Sequence, residues 1–148
     1  MAYDVGWSDD LSVEALAGVL DAVYLFAPNE KEALKLTGED RPEAALLRLR
    51  DYVEQPIVKL GKDGAIFLRD GKIAHCPAFP FRAVDTTGAG DSFCAGFCYG
   101  LAKEWDLLRS VIFGNAVGAF CVSQMGASAG IPPEGQVLRF IREKNGTF

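Results

Sequence analysis

The 148-residue sequence is 49% hydrophobic and 24% charged, the balance of an ordinary globular chain able to bury one core, so one domain is expected. Its 15 basic against 20 acidic residues leave a formal net charge of −5, which supplies no field that would draw it to nucleic acid or anionic membrane. A small molecule or another protein is the expected partner. No apolar run approaches the roughly 18 residues of a bilayer span, and Met1 to Trp7 lacks the basic start and apolar stretch of a signal peptide, so the chain is read as cytoplasmic.

In chain order, Ala2 to Val5 predicts a very short strand, and Ser12 caps a helix from Val13 to about Val19. A strand over Ala22 to Phe26 follows. Pro28-Asn29-Glu30-Lys31-Glu32 then reads as a turn with Asn29 as N-cap, acids in the first helical turn and an end near Gly38. Arg41 to Val53 has apolar residues at helical spacing, with Pro42 in the first turn. Pro56 to Leu60 is a short apolar strand closed by Gly61. Ala65 to Arg69 and Lys72 to Cys76, joined by Asp70-Gly71, carry the clearest hairpin signal of the chain.

A strand-like approach over Ala78 to Val84 leads to a Gly-rich segment. A helix is expected from Asp91, a longer one from about Asp106 to Met125, and a last one from about Glu134 to Lys144 behind Pro132 and Pro133. Strands alternating with helices predict an α/β layered fold with a mostly parallel sheet. Cys76, Cys94, Cys98 and Cys121 show no Cys-x-x-Cys spacing and read as buried thiols, and His75 stands in an alternating stretch with no ligand set around it.

The chemistry concentrates in Asp85-Thr86-Thr87-Gly88-Ala89-Gly90-Asp91. Small residues at 88 to 90 let consecutive backbone N–H groups point at one spot where a helix N-terminus adds positive potential, which makes an anion hole. A carboxylate at the rim would repel a statically bound anion. It makes sense if Asp91 deprotonates a hydroxyl that attacks a phosphoryl group held in the hole. The bland alternative is a tight strand-to-helix turn with Asp91 stabilising the helix start. The string is neither a Walker A loop nor a Gly-x-Gly-x-x-Gly dinucleotide fingerprint.

Asp-Thr-Thr-Gly-Ala-Gly-Asp-Ser-Phe resembles the C-terminal signature of the PfkB/ribokinase family of sugar and nucleoside kinases. Pro28-Asn29-Glu30-Lys31-Glu32 resembles the family's Asn-x-x-Glu motif, Lys59-Leu60-Gly61-Lys62-Asp63-Gly64 its nucleotide-phosphate loop, and Asn115 with Gly126-Ala127 its adenine-side helix and loop. The resemblance implies a ribokinase-like three-layer αβα fold in which residues 1–148 form the C-terminal nucleotide-binding and phosphoryl-transfer portion. It implies Asp91 as catalytic base, the amides of Gly88, Ala89 and Gly90 as the phosphoryl hole, and Lys59, Gly61, Gly64 and Asn115 around ATP. Asn29 and Glu32 would organise Mg²⁺ through water, which suits an ion that sheds its hydration shell reluctantly. Asp85 and the Thr87 carbonyl, with carbonyls between Cys121 and Gly130, would hold a K⁺ ion. The plain readings beside these roles are a helix cap for Asn29, a strand-end lysine for Lys59 and a helix-surface polar residue for Asn115.

The sequence departs from the family in what it lacks. The N-terminal half, with the Gly-Gly sugar motif, the sugar-gripping aspartate and the β-stranded lid, has no counterpart here. The chain alone is therefore expected to have little or no kinase activity, and to dimerise or pair with a missing N-terminal half through an exposed sheet edge. A fragment, a natural short protein and an incomplete gene product all fit. The competing function is a non-catalytic nucleotide-binding or interaction module; a vitamin kinase of the same superfamily fits the signature less well. The acceptor substrate is not legible.

Overall fold

The Ser12 hydroxyl accepts the Ala15 N–H at 3.2 Å and so starts helix α1, Val13–Leu20. In this computed structural model the described residues are 2–3, 12–123, 125–126 and 130–145, so Asp4 and Val5 of the first predicted strand lie outside them. The chain divides into two compact units, Met1–Gly61 with Ala65–His75, and Lys62–Gly64 with Cys76–Phe148.

The first unit holds strands β1 (Ala2–Tyr3), β2 (Leu25–Phe26), β3 (Gln55–Lys59), β4 (Ala65–Arg69) and β5 (Lys72–Cys76), hydrogen-bonded in that order. β1–β2 and β2–β3 are parallel and β3–β4 is antiparallel, so the sheet is mixed. The hairpin forms where Asp70-Gly71 predicts it: both residues take positive φ, 51° and 72°, as a two-residue turn matched to strand twist requires. Helices α2 (Glu30–Thr37) and α3 (Pro42–Leu49) complete the unit. Val13, Leu16 and Leu20 of α1, Ala33 and Leu36 of α2, and Ala45, Leu46 and Leu49 of α3 close on Phe26, Val58 and Ile66 in one core. Leu25–Phe26 is shorter than the predicted strand, and α3 ends four residues before Val53.

The second unit is helical, with α4 (Ala89–Ala102), α5 (Leu107–Val122) and α6 (Glu134–Asn145). Residues 78–84 form no strand. Pro77 and Pro80 remove ladder donors, and Phe79 and Phe81 use their two-residue spacing to pack on helices: Phe79 lies 5.1 Å from Phe140, and Phe81 lies 5.2 Å from Phe120. The Val84 N–H donates to the Val122 carbonyl at 2.7 Å, tying this strap to the end of α5.

Helices α4 and α5 touch backbone to backbone. A Cβ at Gly96 would lie 2.9 Å from Val117 Cγ2 and one at Gly114 2.9 Å from the Phe93 carbonyl, while one at Gly100 would lie 2.6 Å from Ser110 Oγ. Gly18 in α1, by contrast, faces open space. Gly18→Ala should therefore raise stability by about 0.4–1 kcal/mol by restricting the unfolded chain. Gly100→Ala should lower it by about 1–3 kcal/mol through overpacking. Urea unfolding of the two variants checks the opposite signs.

Candidate active site

The sequence-predicted site residues fall into two sets, one in each unit. In the first, Asn29 caps α2 by accepting the Glu32 N–H at 3.0 Å, and the Glu32 carboxylate accepts the Asn29 N–H at 2.8 Å. This reciprocal capping box fixes both side chains at the head of α2. Lys59 ends β3 beside them, its N–H donating to the Pro28 carbonyl at 2.9 Å, and Asn29 and Lys59 form a parallel bridge. The three residues thus stand together beyond the C-terminal ends of β2 and β3, where open α/β sheets bind ligands. Gly61 follows with φ 60° at the start of a 3₁₀ turn, Gly61–Asp63.

In the second unit, the segment 85–91 folds as a clamped turn into α4. Asp85 Oδ1 accepts the Thr87 N–H at 2.9 Å, and Oδ2 accepts the Gly126 N–H at 3.3 Å. The Thr87 N–H, then the Thr87 hydroxyl and the Gly126 N–H, hold the Asp85 carboxyl below its ordinary range, because each donor favours the charged form. On the other side of the same residue, the Cys121 thiol donates to the Thr87 carbonyl at 3.5 Å. Gly88 then turns with φ 76°, a left-handed conformation natural to glycine, and α4 starts at Ala89.

One amide of the expected hole is used internally, since the Ala89 N–H donates to the Thr86 carbonyl at 3.3 Å. The first α4 bond runs from the Ser92 N–H to the Gly88 carbonyl at 2.9 Å. The N–H groups of Gly90 and Asp91 precede it and have no intrahelical acceptor, so they face outward along the positive end of the helix. The Asp91 side chain is exposed at that end. An anion carried by these donors would lie beside the one carboxylate of the first turn.

Gly64 and Asn115 meet at one peptide. Gly64 has φ 96°, and a Cβ there would fall 2.0 Å from the Cys76 carbonyl oxygen, so any side chain would displace that backbone. Asn115, buried in α5, donates through Nδ2 to the carbonyls of Cys76 at 3.1 Å and Pro77 at 3.3 Å. Burial pushes the Cys76 thiol up, and the Asn115 amide partly offsets this. The helix-surface reading of Asn115 is thereby corrected: its amide nitrogen holds the strap. Cys121 was missed as a site residue, because a cysteine in an apolar helix carries no sequence mark of the carbonyl it meets. Cys76 and Cys121 are buried as expected, whereas Cys94 and Cys98 are half-buried. Among the described residues no cluster of three or more His, Cys, Asp or Glu could hold a metal, and no helix is long and apolar enough to cross a membrane.

Residues 1–134 match the model of the pfkB family carbohydrate kinases. The chain belongs to this family. Among its pfkB relatives, the ATP-dependent 6-phosphofructokinase of Thermoanaerobacterium thermosaccharolyticum is 35% identical over 120 residues, covering 80% of this chain and 37% of that protein. The structure of Arabidopsis thaliana ribokinase complexed with ribose and ATP superposes with TM-score 0.84 at 30% identity, over 95% of this chain and 47% of that one. A putative ribokinase II of E. coli, in complex with ATP and Mg²⁺, gives TM-score 0.78 at 30% identity over 88% and 42%. The fold is therefore ribokinase-like α/β, and the chain spans less than half the length of these pfkB-type relatives.

Replacing Asn115 by Leu removes the amide donor from the buried Cys76 carbonyl and from the partly buried Pro77 carbonyl, and should cost about 1–3 kcal/mol, read by urea unfolding. Asp85 titrates below its ordinary value, so its support of the turn is complete above the normal carboxylate range and is lost as pH falls through the depressed pKa. Protection of the Thr87 and Gly126 amides, measured as exchange relative to the intrinsic rate at each pH, should accordingly fall on acidification, and Asp85→Asn should show the lower protection at neutral pH.

Proposed function

We propose that the chain is the nucleotide-binding and phosphoryl-transfer portion of an ATP-dependent kinase that phosphorylates a hydroxyl of a sugar or nucleoside. The observation that carries this is the head of α4, where outward N–H groups of Gly90 and Asp91 stand beside the Asp91 carboxylate behind a turn clamped on both sides of Thr87. Donors aimed at a developing charge and fixed before reaction lower the barrier without reorganisation.

In this reading the loop amides, those of Gly90 and Asp91 with Gly88 and Ala89 shaping the turn, hold the transferring phosphoryl group. Asp91 takes the proton of the attacking hydroxyl. Lys59, Gly61 and Gly64 line the nucleotide phosphates, Lys59 supplying charge and the glycines close backbone approach. Asn115 shapes the adenine side by fixing the Cys76–Pro77 strap. Asn29 and Glu32 would hold Mg²⁺ through water; their capping box suits an outer-sphere role, since it presents a fixed carboxylate without stripping the ion. The metal would neutralise phosphate charge during transfer. Asp85 and the Thr87 carbonyl would hold K⁺; Thr87 offers a second lone pair beside the one that meets Cys121.

Positioning the acceptor hydroxyl is worth as much as about 7–11 kcal/mol of barrier. The relatives that align here are more than twice as long, so that task is assigned to chain outside this sequence. The test is MgATP titration of the chain, followed by turnover on ribose, fructose, fructose 6-phosphate and nucleosides with a pfkB N-terminal half supplied in trans. Binding with restored turnover supports the reading. Binding without turnover on any acceptor assigns the chain to a non-catalytic nucleotide-binding module, and no binding at all rejects both. In the complemented enzyme, Asp91→Asn should reduce kcat by at least about 10²-fold, the usual worth of a general base, with ATP affinity nearly unchanged.

A further inference from the structure

Cys94 and Cys98 stand one turn apart on α4, both half-buried and in no disulfide. Residues three and four apart share a helix face, so Asp91, Cys94 and Cys98 lie on one side of α4, away from the face on which Gly96 and Gly100 meet α5. The kinase reading uses neither thiol. We infer that Cys94 and Cys98 form a dithiol site for a soft thiophile of the trivalent-arsenic class, bridging the two turns of α4 that follow Asp91.

Two distances select this chemistry. Cβ atoms at this helical spacing are about 5–6 Å apart. A disulfide needs about 3.5–4.5 Å, so direct oxidation would have to distort the helix. A bridging soft atom with bonds of roughly 2.3 Å to each sulfur spans the pair with the helix intact. The described residues provide no cluster of three or more ligating side chains, which disfavours a tetrahedral metal. Partial burial raises the Cys98 thiol above its ordinary range. The step balances without a redox partner: two S–H bonds break, two As–S bonds form, and the oxide oxygen leaves as water with both protons. Cys76 and Cys121 are buried, at 4% and 0% exposure, and far apart in sequence on different elements, so they offer no comparable pair.

The test uses phenylarsine oxide on the folded chain, with the mass of the adduct and its location read by mass spectrometry. One arsenic per chain, bridging Cys94 and Cys98 in the fragment spectra, is expected, reversible by a dithiol and resistant to a monothiol. Cys94→Ser and Cys98→Ser should each weaken the adduct on the order of 10²-fold, the loss expected when a two-point attachment becomes one-point. Retention of full affinity in either variant overturns the proposal. So does an adduct that maps to Cys76 or Cys121, or one that appears only after unfolding in urea. The localisation on the unmutated chain needs no variant to fold, and none of these readouts depends on turnover.

Discussion

The second unit is organised by the approach of α4 to α5 at van der Waals distance between backbones. Gly96 and Gly100 face α5, Gly114 and Gly118 face α4, and a Cβ on Gly118 would sit 3.3 Å from the carbonyl of Ala89, the first residue of α4. Packed interiors yield little, so this contact fixes where the head of α4 stands along α5. The position of the turn follows from it. With α4 held that close, the end of α5 can take the Val84 N–H at Val122 and bring the Cys121 thiol to the Thr87 carbonyl.

Polar pairing then finishes what packing begins. Thr87 is held by its N–H through Asp85 and by its carbonyl through Cys121, so the peptides that lead into Gly88 have little freedom. The strap before it is treated alike: Asn115 donates to two of its carbonyls, and Gly64 makes room for one of them. Leaving buried carbonyls unpaired would cost more than a surface hydrogen bond returns, which is why these contacts localise the backbone well. The anion site proposed on this turn would be ready before its ligand arrives.

The first unit reaches a similar end by local means. Asn29 and Glu32 satisfy each other's backbone N–H groups within one helical turn, and the parallel pairing of β2 and β3 sets Lys59 beside them. Outside the site, the Arg48 guanidinium reaches Glu14 at 3.0 Å and lies over the Tyr52 ring, joining α1 to α3 on an exposed face where solvent screening leaves such pairs little energy.

Features decided by near neighbours in the chain were legible in the sequence. The Ser12 and Asn29 caps, the Asp70-Gly71 turn and the six helices of the described residues rest on side chains bonding or turning backbone within a few residues, and the string from Asp85 to Phe93, with the Asn29, Lys59 and Asn115 motifs in order, carries the resemblance to the family. The alternation of Phe79 and Phe81 misled, because a period of two marks a strand only when a ladder partner exists, and here the partners were Phe120 and Phe140. Only the tertiary structure decided that Asn115 binds the Cys76 and Pro77 carbonyls, that Cys121 meets Thr87, and that the Ala89 amide, expected in the hole, is used by Thr86. Each of these pairs except the last joins residues more than thirty positions apart, and no local pattern encodes a partner that packing alone selects.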